Sequence, residues 1–498
     1  MEANKEVHID YDMGIIGAGF GGLGLAMKLQ QEGKRSFIIL ERAAQIGGTW
    51  RDNIYPGCAC DVPSHLYSFS FEPNPHWSRS YSAQPEILNY MIACKDKYNL
   101  EEHIHYNTNF ASATFEEASL TWLLTATNGQ TWRVKTVASA LGPLNVPKFP
   151  PIEGRASFAG VSFHSSNWKQ EVDLTNKKVG VIGTGASAIQ IVPEIADQVA
   201  QLTIFQRSAP WIFPKNDHPI SPAKQAIYEQ KPFKQKLKRL KAYLFMEAGG
   251  RGLFKDNFIR KYTQKLAEDY LQKEIQDPVL RKKLRPNYTV GCKRRLLSDN
   301  YYAALRKEQV HLETTPIQKI VPEGILDEQG QLQELDVIIY ATGFKVIDYE
   351  ERNVQVKGLG GRELFEQWGQ SFPEAYHGTA VSGYPGLFLI LGPNTGLGHN
   401  SLIHVMESQF NFILDYWKQL DQLPLGSLLD VQPAAQKAFN KQIQKELSTM
   451  VWSTGSCSSW YVNEEGKNPT LWPGPTTTFR KRTKKIKVKD FEVLSTSL

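Results

Sequence analysis

The chain has 498 residues, of which 41% are hydrophobic and 22% charged, enough to build two or three domains with their own cores. The formal net charge is +6, but seven cations between Arg480 and Lys489 account for more than this excess, and the rest of the chain is nearly neutral. The composition excludes a disordered chain and gives little support for nucleic-acid binding.

We expect neither a membrane-spanning helix nor a secretory signal. No apolar run reaches the roughly 18 residues that a spanning helix needs. Residues 1–11 contain several charged side chains and no apolar stretch of signal-peptide length. Five cysteines are too few and too scattered for a disulfide scaffold, and a reducing compartment fits them better. We therefore expect a cytoplasmic protein without stable membrane insertion.

The first predicted elements are a strand, a glycine turn, a helix and a second strand. Residues 13–16 are apolar and enter Gly17, residues 23–29 repeat apolar side chains at helical spacing, and residues 37–40 form a second apolar run. This order within about 30 residues predicts a βαβ unit with a parallel sheet.

The turn of this unit predicts a dinucleotide site. Gly17, Gly19 and Gly22 fit the pattern GxGxxG, and Glu41 ends the following strand. The glycines let a pyrophosphate approach the backbone, and the carboxylate accepts hydrogen bonds from a ribose diol while repelling a 2′-phosphate. The first site therefore predicts FAD or NAD.

The same order recurs after a proline-rich crossing at residues 143–151. Here the strand at 179–182 precedes a glycine turn, a helix from about 187 to 198 and a strand at 202–205. The turn contains Gly183, Gly185, Ser187 and Ala188, and Arg207 takes the place that Glu41 has in the first unit, 24 residues after the first glycine. A cation there suits the 2′-phosphate of NADPH. The two units together predict a flavoprotein that NADPH reduces.

We expect an α/β fold with two Rossmann-like dinucleotide-binding domains, the second inserted in the first. The FAD-binding domain takes residues 1–146 and 344–498, the latter with the basic C-terminal tail. The NADPH-binding domain takes residues 147–343 and carries a helical insert at about 220–290.

Two surface features carry separate predictions. In the insert, Phe233, Leu237, Leu240 and Leu244 step at helical spacing and predict a face that covers a core or a substrate channel, with association at a membrane surface as the alternative. In the basic tail, the alternation of Ile486 and Val488 with lysines predicts a solvated surface strand.

Three further motifs lie outside the glycine turns. The first fits FxGxxxHxxxW just before the second turn, through Phe158, Gly160, His164 and Trp168. Lys169 follows it, where the full pattern has Pro or Asp. Residues 47–61 fit GGxWxxNxYPGxxxD, and the pair Lys293-Arg294 precedes two tyrosines. In these motifs the chain resembles the flavin-dependent type I Baeyer–Villiger monooxygenases over nearly its whole length.

The resemblance implies an enzyme that uses FAD, NADPH and O2 to convert ketones into esters or lactones through a C4a-peroxyflavin, and that also oxidises thioethers. It implies that Arg294 stabilises the anions of the reaction, with Asp61 as its partner, and that Lys293 joins Arg207 at the NADPH phosphate. An arginine suits the first role because it keeps its proton. His164 belongs to the interdomain hinge. Further cofactor contacts are implied for Gly48, Thr49, Trp50, Tyr55 and Asp61.

Other functions stay open at this point. The N- and S-oxygenating flavin monooxygenases carry Tyr or Phe at the position of Trp168, and Lys169 departs from the ketone-oxidising pattern. A flavoprotein that senses NADPH without oxygenating anything is a second alternative. A disulfide reductase is disfavoured, because one residue separates Cys58 from Cys60, and no cluster has metal-ligand spacing. The sequence leaves the particular ketone and the oligomeric state open.

Overall fold

The computed structural model describes residues 8–254, 257–346, 354–457, 459, 461–463 and 465–496. The charged N-terminal residues 1–7, which entered the prediction on targeting, lie outside these ranges. The strands are β1 (Tyr11–Ile16), β2 (Phe37–Leu40), β3 (Ile104–His105), β4 (Phe110–Glu116), β5 (Thr121–Ala126), β6 (Thr131–Ser139), β7 (Val161–His164), β8 (Lys178–Ile182), β9 (Gln201–Phe205), β10 (Ile212–Phe213), β11 (Leu296–Leu297), β12 (Val310–Glu313), β13 (Ile317–Val321), β14 (Gly324–Asp327), β15 (Leu332–Glu334), β16 (Val337–Tyr340), β17 (Gln355–Lys357), β18 (Leu387–Leu389), β19 (Ser427–Val431) and β20 (Phe491–Ser495). The helices are α1 (Phe20–Glu32), α2 (Thr49–Asp52), α3 (Gln84–Lys97), α4 (Ala188–Ile195), α5 (Pro222–Gln230), α6 (Pro232–Phe254), α7 (Phe258–Glu274), α8 (Pro278–Leu284), α9 (Tyr301–Leu305), α10 (Leu364–Gln370), α11 (Leu402–Leu420), α12 (Pro433–Leu447), α13 (Val451–Thr454) and α14 (Thr476–Thr483).

The first sheet is built around β1, which is buried from Met13 onward. Its order is β17-β4-β5-β6-β1-β2-β3, and β18 also pairs with β6. The strands β1, β2, β3, β6 and β18 run parallel, while β4, β5 and the start of β6 form an antiparallel meander. The unit β1–α1–β2 is the first βαβ unit that the sequence predicts.

The second sheet is parallel throughout, in the order β12-β9-β8-β16-β7. The unit β8–α4–β9 corresponds to the second predicted βαβ unit, although α4 ends at Ile195, three residues before the predicted end. The chain leaves the first sheet after β6, forms the second sheet, and returns to the first at β17 and β18. The second sheet is therefore inserted in the first, as predicted.

The two crossings between the sheets pair with each other. The backbone N–H of Lys148 donates to the carbonyl of Gly343 at 2.8 Å, and the N–H of Lys345 donates to the carbonyl of Val146 at 2.9 Å. The two domains are thus connected by a short antiparallel ribbon around the bridge between Pro147 and Phe344.

The apolar stripe of the insert is exposed, so the prediction that it covers a core or a channel was wrong. The opposite face of α6 is the buried one, and it packs through polar contacts. There Gln235 donates to the carbonyl of Asn74 at 2.6 Å, and Arg239 donates to the carbonyls of His65 and Ser68 at 2.8 and 2.9 Å. Backbone carbonyls beneath the helix attract its polar side chains, which turns the apolar ones outward. None of the helices in the described ranges has the length and hydropathy to span a membrane.

The basic tail also differs from its prediction. Residues 476–483 form α14, which packs on α11 through the buried side chain of Phe479. Ile486 is buried and Val488 is 48% exposed, although two residues at this interval would share one face of a strand. The tail is therefore a helix and a turn before β20, because Phe479 and Ile486 anchor it to the core.

A disulfide joins Cys292 to Cys457, which are 165 residues apart in the sequence. Cys292 is fully buried and directly precedes Lys293, so the bond connects the Lys293-Arg294 segment to the region after α13. The bond runs against the expectation of a reducing compartment, where disulfides are rare, and cysteine spacing did not indicate this pair.

We expect Cys292→Ser to lower the free energy of unfolding by about 2–5 kcal/mol, because the open chain gains the entropy of a long loop. Cys457→Ser and the double variant should give the same loss of stability, because each of the three variants removes the same single bond. The thermal midpoint of unfolding measures this loss. Thiol titration after denaturation without reductant should find the thiols of Cys58, Cys60 and Cys94 alone. Additive losses in the double variant would contradict a shared bond.

Candidate functional site

The first glycine turn is tightly constrained except at one position. Gly17 has φ +103°, and a Cβ on Gly22 would lie 1.9 Å from the carbonyl oxygen of Gly17. Both positions therefore need glycine so that α1 can begin directly against the turn. A Cβ on Gly19, by contrast, would meet nothing nearer than the Cα of Gly48 at 3.9 Å. This is the space into which a pyrophosphate would fit.

The carboxylate of Glu41 lies just beyond β2 and is nearly completely buried. It accepts hydrogen bonds from the N–H groups of Ala18 at 2.9 Å and Ala43 at 3.0 Å, and from the Arg51 guanidinium at 2.8 Å. A carboxylate offers about four acceptor positions, so one remains for a ribose hydroxyl. These residues fit the adenosine half of FAD. The sequence did not predict the contact of Arg51 with Glu41. The position of Arg51 directly after Trp50, within the GGxWxxNxYPGxxxD motif, is the one feature that could have indicated it.

The second glycine turn has the same form. Gly183 has φ +109°, and a Cβ there would lie 2.5 Å from the carbonyl oxygen of Ala341, whereas a Cβ on Gly185 would meet nothing within 4 Å. Ser187 directly precedes α4, and Ala188, which is fully buried, is its first residue. The open space at Gly185 and the helix start together form a cradle for a second pyrophosphate.

We expect Gly185→Ala to raise the KM for NADPH at least about tenfold, because the new methyl group enters space that the protein leaves open to a ligand. Steady-state NADPH oxidation measures the effect. Flavin content and thermal midpoint should stay unchanged, whereas Gly183→Ala should lower the midpoint, since its Cβ meets backbone. An unchanged KM in Gly185→Ala would remove this turn from the NADPH site.

Two cations meet beside the second turn. The ammonium of Lys293 donates to the Ser208 hydroxyl at 2.9 Å, and the Thr184 hydroxyl donates to the carbonyl of Ser208 at 3.2 Å. Burial, together with the charge of Arg207, lowers the pKa of Lys293. No ion pair within the described ranges joins Arg207 or Lys293 to a carboxylate. Two neighbouring cations without an acidic partner fit an anionic ligand such as a 2′-phosphate.

Arg294 and Asp61 form an ion pair that remains accessible from outside the protein. The Nε and Nη2 groups of Arg294 donate to Oδ2 of Asp61 at 2.8 and 2.5 Å. The charge of Asp61 raises the pKa of Arg294, which stays protonated. The arginine side chain nevertheless keeps 40% of its surface accessible and the aspartate 34%. This accessibility leaves the pair open to a bound cofactor or substrate.

The segment from Gly48 to Asp61 leads from the first glycine turn to this pair. A Cβ on Gly48 would lie 3.3 Å from the Cα of Gly19, so the segment begins against the first turn. Thr49 starts α2, and the Trp50 indole donates to the Tyr67 hydroxyl at 3.0 Å.

The end of the same segment contacts the second domain. Tyr55 is buried in the core around α4. The backbone N–H of Ala59 donates to Oε1 of Gln190, a residue of α4, at 2.8 Å. A Cβ on Gly57, which has φ +75°, would lie 2.7 Å from the carbonyl oxygen of Gln190. Asp61 therefore lies where the two domains meet.

The residues of the FxGxxxHxxxW motif lie on and beside β7, which follows the first crossing. Gly160 has no room for a side chain, because a Cβ would lie 2.3 Å from the carbonyl oxygen of Asp336. The His164 ring packs edge-on against Phe149 and Phe344 of the two crossings, at 5.5 and 5.6 Å between ring centres. Phe158 is partly buried beside the second sheet, and Trp168 packs edge-on against Phe163.

His164 has the environment of a structural residue. Its Nδ1 is hydrogen-bonded to the Ser166 hydroxyl at 2.8 Å, and burial lowers its pKa to about 4. The ring is therefore neutral at pH 7, which fits a part of the hinge better than a proton donor. Lys169, the departure from the pattern, is exposed.

Cys58 and Cys60 are free thiols, and both are buried. Burial raises the pKa of Cys58 to about 11 and raises that of Cys60 as well. Neither is a thiolate at neutral pH, unlike the attacking thiol of a disulfide reductase. No group of acidic, histidine and cysteine side chains in the described ranges could hold a metal ion.

Comparison with known proteins decides between the flavoprotein classes. Residues 14–243 match the family model described as pyridine nucleotide-disulphide oxidoreductase. The chain is 44% identical to a Baeyer–Villiger monooxygenase of Pseudomonas aeruginosa, over 97% of this chain and 92% of that protein. This chain belongs to the Baeyer–Villiger monooxygenases.

Solved structures agree with this family. The closed crystal structure of cyclohexanone monooxygenase superposes on the enzyme with a TM-score of 0.87 at 26% identity, covering 98% of this chain and 100% of that one. The structure of OTEMO in complex with FAD and NADP gives 0.86 at 27% identity, with the same coverage. The comparisons confirm the predicted family, the α/β fold with two dinucleotide-binding domains, the cofactors FAD and NADPH, and an NADPH-dependent monooxygenase that inserts oxygen into ketones.

The structure adds residues to the site that the sequence did not indicate. Tyr461 is almost completely buried. Burial raises the pKa of its hydroxyl, and the positive charge of Arg294 opposes this rise. Gln190 connects α4 to the Asp61 segment. Both are remote in sequence from the residues they contact, and neither belongs to a motif.

Proposed function

We propose that Arg294 and Asp61 carry the oxygenation step of this enzyme. The observation that supports the proposal is the accessible Arg294–Asp61 ion pair, which lies between the two glycine turns. When bound, FAD reduced by NADPH supplies the activated oxygen from O2. The ketone binds beside the accessible side of Arg294 and leaves as an ester or lactone.

Arg294 stabilises negative charge on the attacking oxygen and the charge that develops on the ketone oxygen. A guanidinium that its partner already holds in place is effective there because it needs no reorganisation during the reaction. Its raised pKa keeps it from giving a proton to an anionic oxygen. Asp61 accepts two hydrogen bonds from the guanidinium and so holds it in place. Asp61 also lies on the segment that begins at Gly48, against the first glycine turn.

The cofactor contacts divide between the two turns. Gly17, Gly19, Gly22, Glu41 and the segment of Gly48, Thr49, Trp50 and Tyr55 contact FAD. The second set contacts NADPH and consists of Gly183, Gly185, Ser187, Ala188, Arg207 and Lys293. The residues Phe158, Gly160, His164 and Trp168 support the hinge on which these two sets approach each other.

The domain boundaries follow the crossings. We assign residues 1–146 and 344–498 to the FAD domain and residues 147–343 to the NADPH domain, with the helical insert at about 220–290. The cytoplasm is the proposed location, because the reaction consumes NADPH that the cell holds there.

Product analysis tests the proposed reaction. Purified holoenzyme with NADPH and air receives cyclic, linear and aryl ketones, one thioether and one amine, and gas chromatography–mass spectrometry identifies the products. We expect esters or lactones one oxygen atom heavier than their ketones, with sulfoxide as a secondary product. Sulfoxide or N-oxide without any ester would favour the N- and S-oxygenating class, and NADPH consumption that yields hydrogen peroxide with every substrate would favour a redox sensor.

A further inference from the structure

Helix α6 presents an unusual amount of apolar surface to solvent. Its exposed apolar side chains follow one another at intervals of four, three and four residues, so they share one face. They are Phe233 at 64% exposed, Leu237 at 48%, Leu240 at 49% and Leu244 at 55%. Phe245, beside this face, is 75% exposed. Contiguous exposed apolar surface of this kind marks an interaction site in a folded protein.

The following helix also presents apolar side chains to solvent. The exposed apolar side chains of α7 lie at successive turns, and they are Phe258 at 79%, Tyr262 at 52% and Leu266 at 44% exposed. The rings of Phe258 and Tyr262 stack with their centres 6.1 Å apart. The start of α7 is held against the end of α6, because Arg260 Nε donates to the carbonyl of Gly252 at 2.7 Å.

Lysines border the stripe on α6 and the chain between Glu229 and Glu247 contains no acidic residue. The exposed lysines of this stretch are Lys231, Lys234, Lys236, Lys238 and Lys241. At about 100° per residue, Lys234 and Lys241 lie on one side of the stripe and Lys236 lies on the other. We call the apolar stripe and these lysines together the basic–apolar face.

We propose that the basic–apolar face docks the enzyme onto the surface of an anionic lipid bilayer. Aromatic and leucine side chains can enter the boundary between headgroups and acyl chains, while the lysines that flank them pair with anionic headgroups. Burial of this surface by a second copy of the chain is disfavoured, because a two-fold contact would bring the same lysines of both copies together. The docking is peripheral and independent of the reaction at Arg294.

Vesicle flotation with the full-length holoenzyme tests the proposal. We use vesicles of phosphatidylcholine alone and of phosphatidylcholine mixed with phosphatidylglycerol. The wild-type enzyme should float with the mixed vesicles, much less with the neutral ones, and less as salt rises. Leu237→Ser/Leu244→Ser and Lys234→Glu/Lys241→Glu should each lower the partition coefficient at least about tenfold.

The control variant is Lys484→Glu/Lys485→Glu, which reverses the same number of exposed charges in the basic tail. It should bind as the wild type does. Flavin absorbance, thermal midpoint and NADPH oxidation should be unchanged in all three variants, since they alter exposed side chains. Equal flotation of wild type and α6 variants, no flotation at all, or loss of binding in the tail control alone would overturn the proposal. So would a wild-type dimer in sedimentation velocity that Leu237→Ser/Leu244→Ser converts to monomer.

Discussion

Arg294→Ala should lower ester formation by about 10²–10³ in kcat while NADPH still reduces the flavin. The variant removes the cation that stabilises developing negative charge, and it leaves both glycine turns unchanged. Anaerobic stopped-flow absorbance measures flavin reduction, and gas chromatography measures the ester. NADPH consumption should continue, with hydrogen peroxide replacing the ester as the product.

Three further variants separate the charge from the geometry. Arg294→Lys keeps the charge but loses the planar donor fork, so we expect an intermediate rate. Asp61→Asn leaves Arg294 without its ion-pair partner and should also reduce the yield of ester per NADPH. Arg285→Ala, which removes an exposed arginine paired with Glu268 at 3.5 Å, should behave as the wild type. Ester formation by Arg294→Ala at the wild-type rate would withdraw the assignment.

Arg207→Ala/Lys293→Ala should reduce the preference for NADPH over NADH by at least about a hundredfold. Each cation can form a charge-assisted hydrogen bond to the 2′-phosphate, worth about 1.5–3 kcal/mol. NADH lacks this phosphate, so its kcat/KM should change little while that of NADPH falls. Initial rates with both nucleotides measure the change.

The matched control for this pair is Lys224→Ala/Arg285→Ala, which removes two exposed cations from the same domain. It should keep the preference of the wild type. The single variants Arg207→Ala and Lys293→Ala show how much each cation contributes to the preference for NADPH. Because the two cations lie close together, we expect their contributions not to be additive. If the double variant still prefers NADPH as strongly as the wild type, the 2′-phosphate binds elsewhere.

Local sequence patterns predicted the parts of the site that depend on local structure. The βαβ units follow from apolar runs and glycine turns, because a turn and its flanking elements are encoded within about 30 residues. The opposite charges of Glu41 and Arg207 distinguished the two nucleotide sites for the same reason. The pairing of Arg294 with Asp61, which are far apart in the chain, followed from the resemblance to a family and from no local pattern.

The contacts that remained unpredicted are set by tertiary packing. Cys292 and Cys457 meet because the segment after α13 folds back on the Lys293-Arg294 segment. The apolar stripe of α6 points outward because backbone carbonyls under the helix pair with Gln235 and Arg239. Periodicity finds a stripe but does not tell whether protein or solvent covers it, and here the covered face is the polar one.

We infer that this enzyme couples NADPH oxidation to the transfer of one oxygen atom from O2 into a ketone. Isotope labelling tests it most directly, with wild-type holoenzyme, NADPH and a ketone under ¹⁸O2. We expect an ester with one ¹⁸O atom and close to one NADPH consumed for each ester formed. Ester without ¹⁸O, or NADPH oxidation without any labelled product, would contradict it.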